Sequence, residues 1–133
     1  MSSELRFDVL VLGGGGAALR AALSACEQGA KTAILSKGEA GKSGATYYSV
    51  AEVGAFNVPD GALDPEDSPE EFYRDMEMAA LGTAQLPLCR ILAEQAESAL
   101  QYLEKISGGT VFAKEDGHFK VYQACFSTRP RSH

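Results

Sequence analysis

Gly13, Gly15 and Ala18 stand at the spacing of a G-x-G-x-x-G/A turn. Small residues at that spacing serve one kind of chemistry, the close approach of a backbone to a pyrophosphate. The first folds a tight turn, the second leaves room for the phosphates, and the third lets a helix sit near a strand. Gly14, Gly16 and Ala17 complete the run, so nothing larger than a methyl group projects between Gly13 and Ala18. A helix that starts here aims unpaired N–H groups and a partial positive charge at bound phosphates. A second stretch, SKGEAGKSGAT, supplies Ser36, Lys37, Lys42, Ser43, Gly44, Ala45 and Thr46. Its hydroxyls and backbone N–H groups suit an anionic, hydroxyl-rich ligand, and the two lysines add positive charge. A solvated surface loop is the plain alternative. Arg129 and Arg131 flank Pro130 near the end of the chain. Two guanidiniums around a rigid residue can hold an anionic cofactor or substrate group by charge-assisted hydrogen bonds, or stand in solvent or against further polypeptide.

These residues need elements to position them. Phe7 to Leu12 is an apolar run broken only by Asp8, which predicts a strand buried on both faces. A helix follows the glycines. Leu19, Leu23 and Cys26 recur on one side and Arg20, Ser24 and Glu27 on another, while Ala18, Ala22 and Ala25 offer a flat face for a sheet. Gly29 stands where a helix C′ glycine belongs, and Lys31 to Ser36 reads as the second strand. Strand, glycine turn, helix, glycine stop and strand within about 30 residues is the setting that gives the fingerprint its meaning. The fold class is therefore α/β, with a Rossmann-like dinucleotide-binding βαβ unit. An acid near the end of the second strand usually holds the ribose of NAD. Here Ser36 and Lys37 occupy that place, which speaks against an NAD-dependent Rossmann enzyme.

Taken together, LGGGGAALRAAL and SKGEAGKSGAT resemble the N-terminal end of the fumarate reductase, succinate dehydrogenase and L-aspartate oxidase flavoprotein family. The resemblance implies FAD as cofactor, with Gly13 to Gly16 at its pyrophosphate and Ser36 and Lys37 at the adenosine ribose. Lys42, Ser43, Gly44, Ala45 and Thr46 would run beside the ribityl chain and flavin. Gly44 takes the place of a histidine that bonds FAD covalently in membrane-bound members, so the expected FAD is non-covalent. The family has small residues beside the flavin ring where this chain has Tyr47, Tyr48, Ser49, Val50, Ala51 and Glu52. The tyrosines fit a pocket or interface lining, and equally ordinary half-buried packing. The implied activity is flavin-dependent hydride transfer at a carbon of a small carboxylic or amino acid. No catalytic acid or base is identified in these residues. The family chain is much longer, so the expected partner is a second polypeptide carrying the rest of the fold, unless the chain is cut at His133. The alternative is a non-catalytic nucleotide-binding structural component that assembles with a separate catalytic chain.

Further along, Phe56 to Asp67 reads as a loop rich in Pro, Gly and Asp. Ser68-Pro69-Glu70-Glu71 is a capping box with proline at N1, opening a helix whose buried stripe is Phe72, Met76, Ala79 and Ala80 and which Gly82 ends. A second helix is expected from Pro87 to Ile106, with Leu88, Leu92, Ala96, Ala99, Leu103 and Ile106 as its stripe. Thr110 to Gln123 reads as a hairpin turning at Asp116-Gly117, with His118 exposed and without a catalytic role. The tail CFSTRPRSH resembles the family's H-S-x-P-R segment, Phe126 replacing its histidine. The expected organisation is residues 1–56 for the βαβ unit and FAD loop, 57–108 for a loop and helix pair, and 109–133 for the hairpin and tail, all within the N-terminal portion of an FAD-binding domain.

Composition narrows the rest. A 133-residue chain with 45% hydrophobic residues can bury a core of its own. Its net charge of −6 argues against nucleic acid or an anionic membrane as partner. No run approaches the ~18 apolar residues of a transmembrane segment, and MSSELRFDV lacks a secretory layout, so the cytoplasm is expected. Cys26, Cys89 and Cys125 are too scattered for a disulfide framework or a metal site.

Overall fold

A computed structural model describes residues 4–47, 55–125 and 127–133. The chain parts into two compact units, Met1–Gly54 and Ala55–His133. Tyr48 to Glu52 and Phe126 lie outside the described residues.

The first unit is β1 (Val9–Leu12), α1 (Gly16–Glu27) and β2 (Thr32–Leu35). The strands pair in parallel, Val9 opposite Thr32 through Leu12 opposite Leu35, and α1 packs on both. Asp8 explains its own intrusion into an apolar run: its carboxylate accepts the Lys31 N–H at 2.8 Å and pins the start of β2. Ala22 is the buried residue of α1, flanked by half-buried Ala18 and Ala25, so the alanine face meets the sheet. Gly29, at φ 83°, closes the helix: its N–H reaches Cys26 O and the Ala30 N–H reaches Ala25 O. That is the paired arrangement of a Schellman stop. The expectation that the strand within Phe7 to Leu12 is buried on both faces is corrected. Leu10 is 58% and Leu12 73% exposed, because among the described residues one helix covers one face of a two-stranded sheet.

The second unit contains α2 (Pro69–Ala80), α3 (Leu86–Ser107) and the strands β3 (Lys114–Glu115) and β4 (His118–Phe119). Ser68 caps α2, its hydroxyl accepting the Glu71 N–H at 3.3 Å, an interaction worth about 1 kcal/mol at such positions. The Glu71 carboxylate turns to Arg74. The helix ends at Ala80 with Leu81 as its cap, just before Gly82. The core gathers Val58, Phe72, Ala93, Ala96, Leu100 and Phe112, with Phe56 and Phe119 meeting Phe112 edge to face at 5.7 and 6.0 Å. Such pairs add to what burial alone contributes. Asp116 and Gly117 both take positive φ, as a tight two-residue hairpin turn requires, but the ladder is only two residues long on each side. Phe112 leaves the strand to fill the core, and Tyr122 instead bridges Ser132. Residues 131–133 thus run between 56–58 on one side and Tyr122 on the other, with backbone hydrogen bonds to both.

A candidate dinucleotide site at the start of the first helix

The glycines of the turn are not all small for the same reason. Gly13 takes φ 123°, a conformation that side chains disfavour, and its N–H donates to Leu35 O at 2.9 Å. A Cβ on Gly14 would lie 2.5 Å from Ser36 Oγ and 2.8 Å from Ser43 Oγ. One on Gly16 would lie 2.9 Å from Thr46 Oγ1. The segment from Ser36 to Thr46 therefore folds back onto the turn, and a side chain at Gly14 or Gly16 would have to displace the hydroxyls of Ser36, Ser43 or Thr46. Gly15 is different. Its φ of −85° and ψ of −179° suit any residue, and an added Cβ would meet only ordinary contacts, 3.7 Å from Ser43 O and 3.8 Å from Gly44 Cα. Within the described chain, neither backbone conformation nor packing explains a glycine there.

Several predicted site residues converge. Ser36 Oγ and Ser43 Oγ stand 3.5 Å apart, the Gly41 N–H donates to Gly14 O at 3.2 Å, and the Gly16 N–H donates to Thr46 Oγ1 at 3.3 Å. Thr46 thereby serves one of the donors that a helix start leaves unpaired, and Gly15, the N-cap, offers no side chain of its own. The turn and the loop together present hydroxyls that can donate or accept, at the positive end of α1. Gly44 packs its backbone against Gly15. Lys37, Ala45 and Ala17 are exposed, and Lys42 pairs with Glu39 at 2.9 Å on the surface. Ser43 lies beside Ser36 at the turn, a grouping that their spacing in the sequence did not reveal.

Arg129 and Arg131 belong to the other unit, and the anions they meet are the chain's own carboxylates. Arg131 is fully buried. It forks onto Asp67 (Nε to Oδ2 3.0 Å, Nη2 to Oδ1 2.6 Å), reaches Asp75 at 2.7 Å and lies over the Phe72 ring. With no exposed surface, its guanidinium has no room for an outside anion. Arg129 pairs with Asp64 at 2.6 Å and Glu66 at 3.2 Å. Sequence reasoning missed Asp67 and Asp75. The available signal was Asp75 on the same face of α2 as Phe72, three residues on, where an apolar residue would be expected.

Burial pushes the Asp75 carboxyl up, but hydrogen bonds from the Thr128 N–H and hydroxyl and from Arg131 outweigh it and hold it below the usual value. The Arg129 hydrogen bond does the same for Asp64, and Arg90 for Glu70. Depressed carboxyls stabilise the fold fully above their unfolded pKa, and that contribution disappears as pH falls through the folded values. Acid titration followed by circular dichroism is expected to show a flat plateau above the ordinary carboxylate range and unfolding only below it. Loss of structure beginning near neutrality would contradict the pairing described.

Among the described residues, no group of three or more His, Cys, Asp or Glu is placed to hold a metal ion, and no helix is long and apolar enough to cross a membrane.

A parallel βαβ unit with a glycine turn at the start of its helix, overlaid by a Ser/Thr loop, is a Rossmann-like unit. A family model described as an FAD binding domain matches residues 8–132, and the chain belongs to that family, among the fumarate reductase and succinate dehydrogenase flavoproteins. It is 40% identical over 118 residues to one of the subunits of the fumarate reductase (CoM/CoB) of Methanothermobacter marburgensis, covering 87% of this chain and 20% of that protein. It also superposes on Mycobacterium smegmatis Sdh1, solved in complex with UQ1, with a TM-score of 0.81 at 26% identity, over 95% of this chain and 20% of that one. The apo form of the same complex gives the same values. The chain thus spans about one fifth of the length of the relatives it matches.

Proposed function

We propose that this chain is the FAD-binding part of a flavin-dependent oxidoreductase that transfers a hydride at a carbon of a small carboxylic or amino acid. The observation that carries the reading is Gly15: a glycine without an internal reason, at the N-cap of α1, beneath a loop of hydroxyls. A diphosphate resting against that backbone supplies the missing reason.

In this reading the backbone from Gly13 to Ala18 takes the pyrophosphate, and Ser36 and Lys37 take the adenosine ribose. Lys42, Ser43, Gly44, Ala45 and Thr46 complete the cradle. The grouping of Ser43 with Ser36, and of Thr46 with the start of α1, favours the phosphate end for those two hydroxyls. A bound FAD would supply the two-electron chemistry. The chain's own residues bind and orient it, and proton transfer is assigned to none of them. Gly44 offers no nucleophile, so the flavin is held without a covalent bond. The protein works in the cytoplasm, with a second polypeptide carrying the rest of the flavoprotein fold. Because the chain spans only about one fifth of its relatives, a non-catalytic FAD-binding component serving a separate catalytic chain is the second reading.

Purified with its native assembly, the protein is expected to be yellow and to release all its flavin into solution on denaturation in acid. Flavin that stays with the polypeptide would refute the non-covalent assignment, and a colourless assembly would refute the cofactor. Reoxidation of the reduced flavin by fumarate separates the catalytic reading from the structural one.

A further inference from the structure

The loop after β2 does more than face the glycine turn; its backbone rests on it. Gly44, at φ 84°, makes the closest approach: a Cβ added there would lie 3.2 Å from Gly15 Cα and 3.7 Å from Gly15 N. Seen from the turn, a Cβ on Gly15 would point at Ser43 O and Gly44 Cα, 3.7 and 3.8 Å away. That space admits a methyl group but not a phosphate, which is larger. The group lining it is also of the wrong kind, since a carbonyl oxygen only accepts hydrogen bonds and repels an anion. Hydrogen bonds latch the loop in this place. The Gly41 N–H donates to Gly14 O at 3.2 Å and the Gly16 N–H to Thr46 Oγ1 at 3.3 Å. Thr46 thereby takes up a helix-start donor of the kind that serves a bound phosphate.

We infer that the Ser43–Gly44 peptide is a gate over the phosphate site, latched by the Thr46 hydroxyl, and that FAD enters only after this segment lifts from Gly15. The inference rests on the proposed function and adds a conformational step to it. The means of movement are built in. Gly41 and Gly44 stand at φ 80° and 84°, and glycine passes between positive and negative φ at little cost, so two hinges flank Lys42 and Ser43. From Gly41 to Tyr47 Ser43 is half-buried and the other residues are exposed, so no apolar packing ties the segment down. It can open locally while the strands and helix beneath keep their structure. Opening turns the Ser43 carbonyl away from the phosphate position and releases the Gly16 N–H to donate there. The hydroxyls of Ser43 and Thr46 then close over the ligand as donors.

The test follows FAD association with the native assembly, stripped of flavin, by stopped-flow quenching of flavin fluorescence. The observed rate is expected to level off as FAD concentration rises, at the rate of opening. Thr46→Val keeps the shape and removes the latching hydroxyl. It is expected to raise that plateau by about fivefold, the effect of losing one ordinary hydrogen bond, while Thr46→Ser stays near the parent. A rate that climbs in proportion to FAD without levelling off overturns the inference, as does a plateau that Thr46→Val leaves unchanged or lowers. In either case FAD still binds, and the proposed function stands. An assembly that takes up no FAD at any concentration overturns both.

Discussion

Gly15→Ala is expected to leave the protein folded while weakening its hold on flavin, and Gly15→Val to deprive it of flavin. Most glycine substitutions in such turns give ambiguous results, because fold and ligand fail together. Gly13→Ala forces a side chain into φ 123°, and Gly14→Ala drives a Cβ to within 2.5 Å of Ser36 Oγ. Gly15 separates the two effects. Its backbone is extended, its nearest neighbours leave ordinary contact distances, and the helix cap it forms loses only about 1 kcal/mol with an aliphatic side chain. A methyl group there stands between the N-terminus of α1 and anything resting on it. For Gly15→Val the loss in FAD affinity should be at least about a hundredfold, equivalent to ~2.7 kcal/mol. Gly15→Ala should fall between the variant and the parent. Flavin fluorescence quenching measures the affinity, and thermal melts in the absence of flavin check the fold. Stoichiometric flavin in Gly15→Val would mean the phosphates lie elsewhere.

Arg131→Met is expected to destabilise the second unit strongly. The guanidinium is wholly buried, and Asp67 and Asp75 are 1% and 5% exposed at their side chains. Removing it leaves two carboxylates without a counter-charge in an apolar setting, beside Phe72 and the core. Breaking a buried pair in this way costs about 3–5 kcal/mol, and a unit of this size is stable by roughly 4–12 kcal/mol in total. Arg131→Lys should rescue little, since an ammonium cannot fork onto Asp67 while reaching Asp75. Arg129→Ala is the control. Its partners are more open, Asp64 at 27% and Glu66 at 81% exposed, so the cost should stay well below that of Arg131→Met. Urea titration of the three variants decides the matter. Equal midpoints for Arg131→Met and Arg129→Ala would show that the buried cluster does not hold the tail in place.

The parts of the molecule legible in the sequence are those whose cause is local. The glycine turn, the Gly29 stop, the Ser68 cap and the Asp116-Gly117 turn each depend on a few consecutive residues, and each has a stereochemical reason for its residue type. Where the cause is distant, the sequence misleads. The expected stripe on α3 ran through Leu88, Leu92, Ala96, Ala99, Leu103 and Ile106; Ala96 is buried, but Leu88, Leu92 and Ile106 are exposed, and Ala93 and Leu100 are buried in their stead. Two apolar stripes lie side by side on that helix, and periodicity alone favours the larger side chains. The packing buried the one through Ala93, Ala96 and Leu100. The arginines at the tail carry the same lesson. Their carboxylate partners stand more than fifty residues earlier, so nothing near Arg131 announces that its charge is already matched. The exposed faces of β1 and β2 likewise reflect what covers them, a property of neighbours and not of the strands.

One titration bears most directly on the central claim that a diphosphate rests against Gly15 at the start of α1. The native assembly, stripped of flavin, is titrated with FAD, FMN and NADH under one set of conditions. FAD is expected to bind at one equivalent per chain. FMN, which has the flavin but lacks the pyrophosphate and adenosine, should bind at least a hundredfold more weakly, and NADH should not compete. FMN binding as tightly as FAD, or NADH displacing it, would contradict the account.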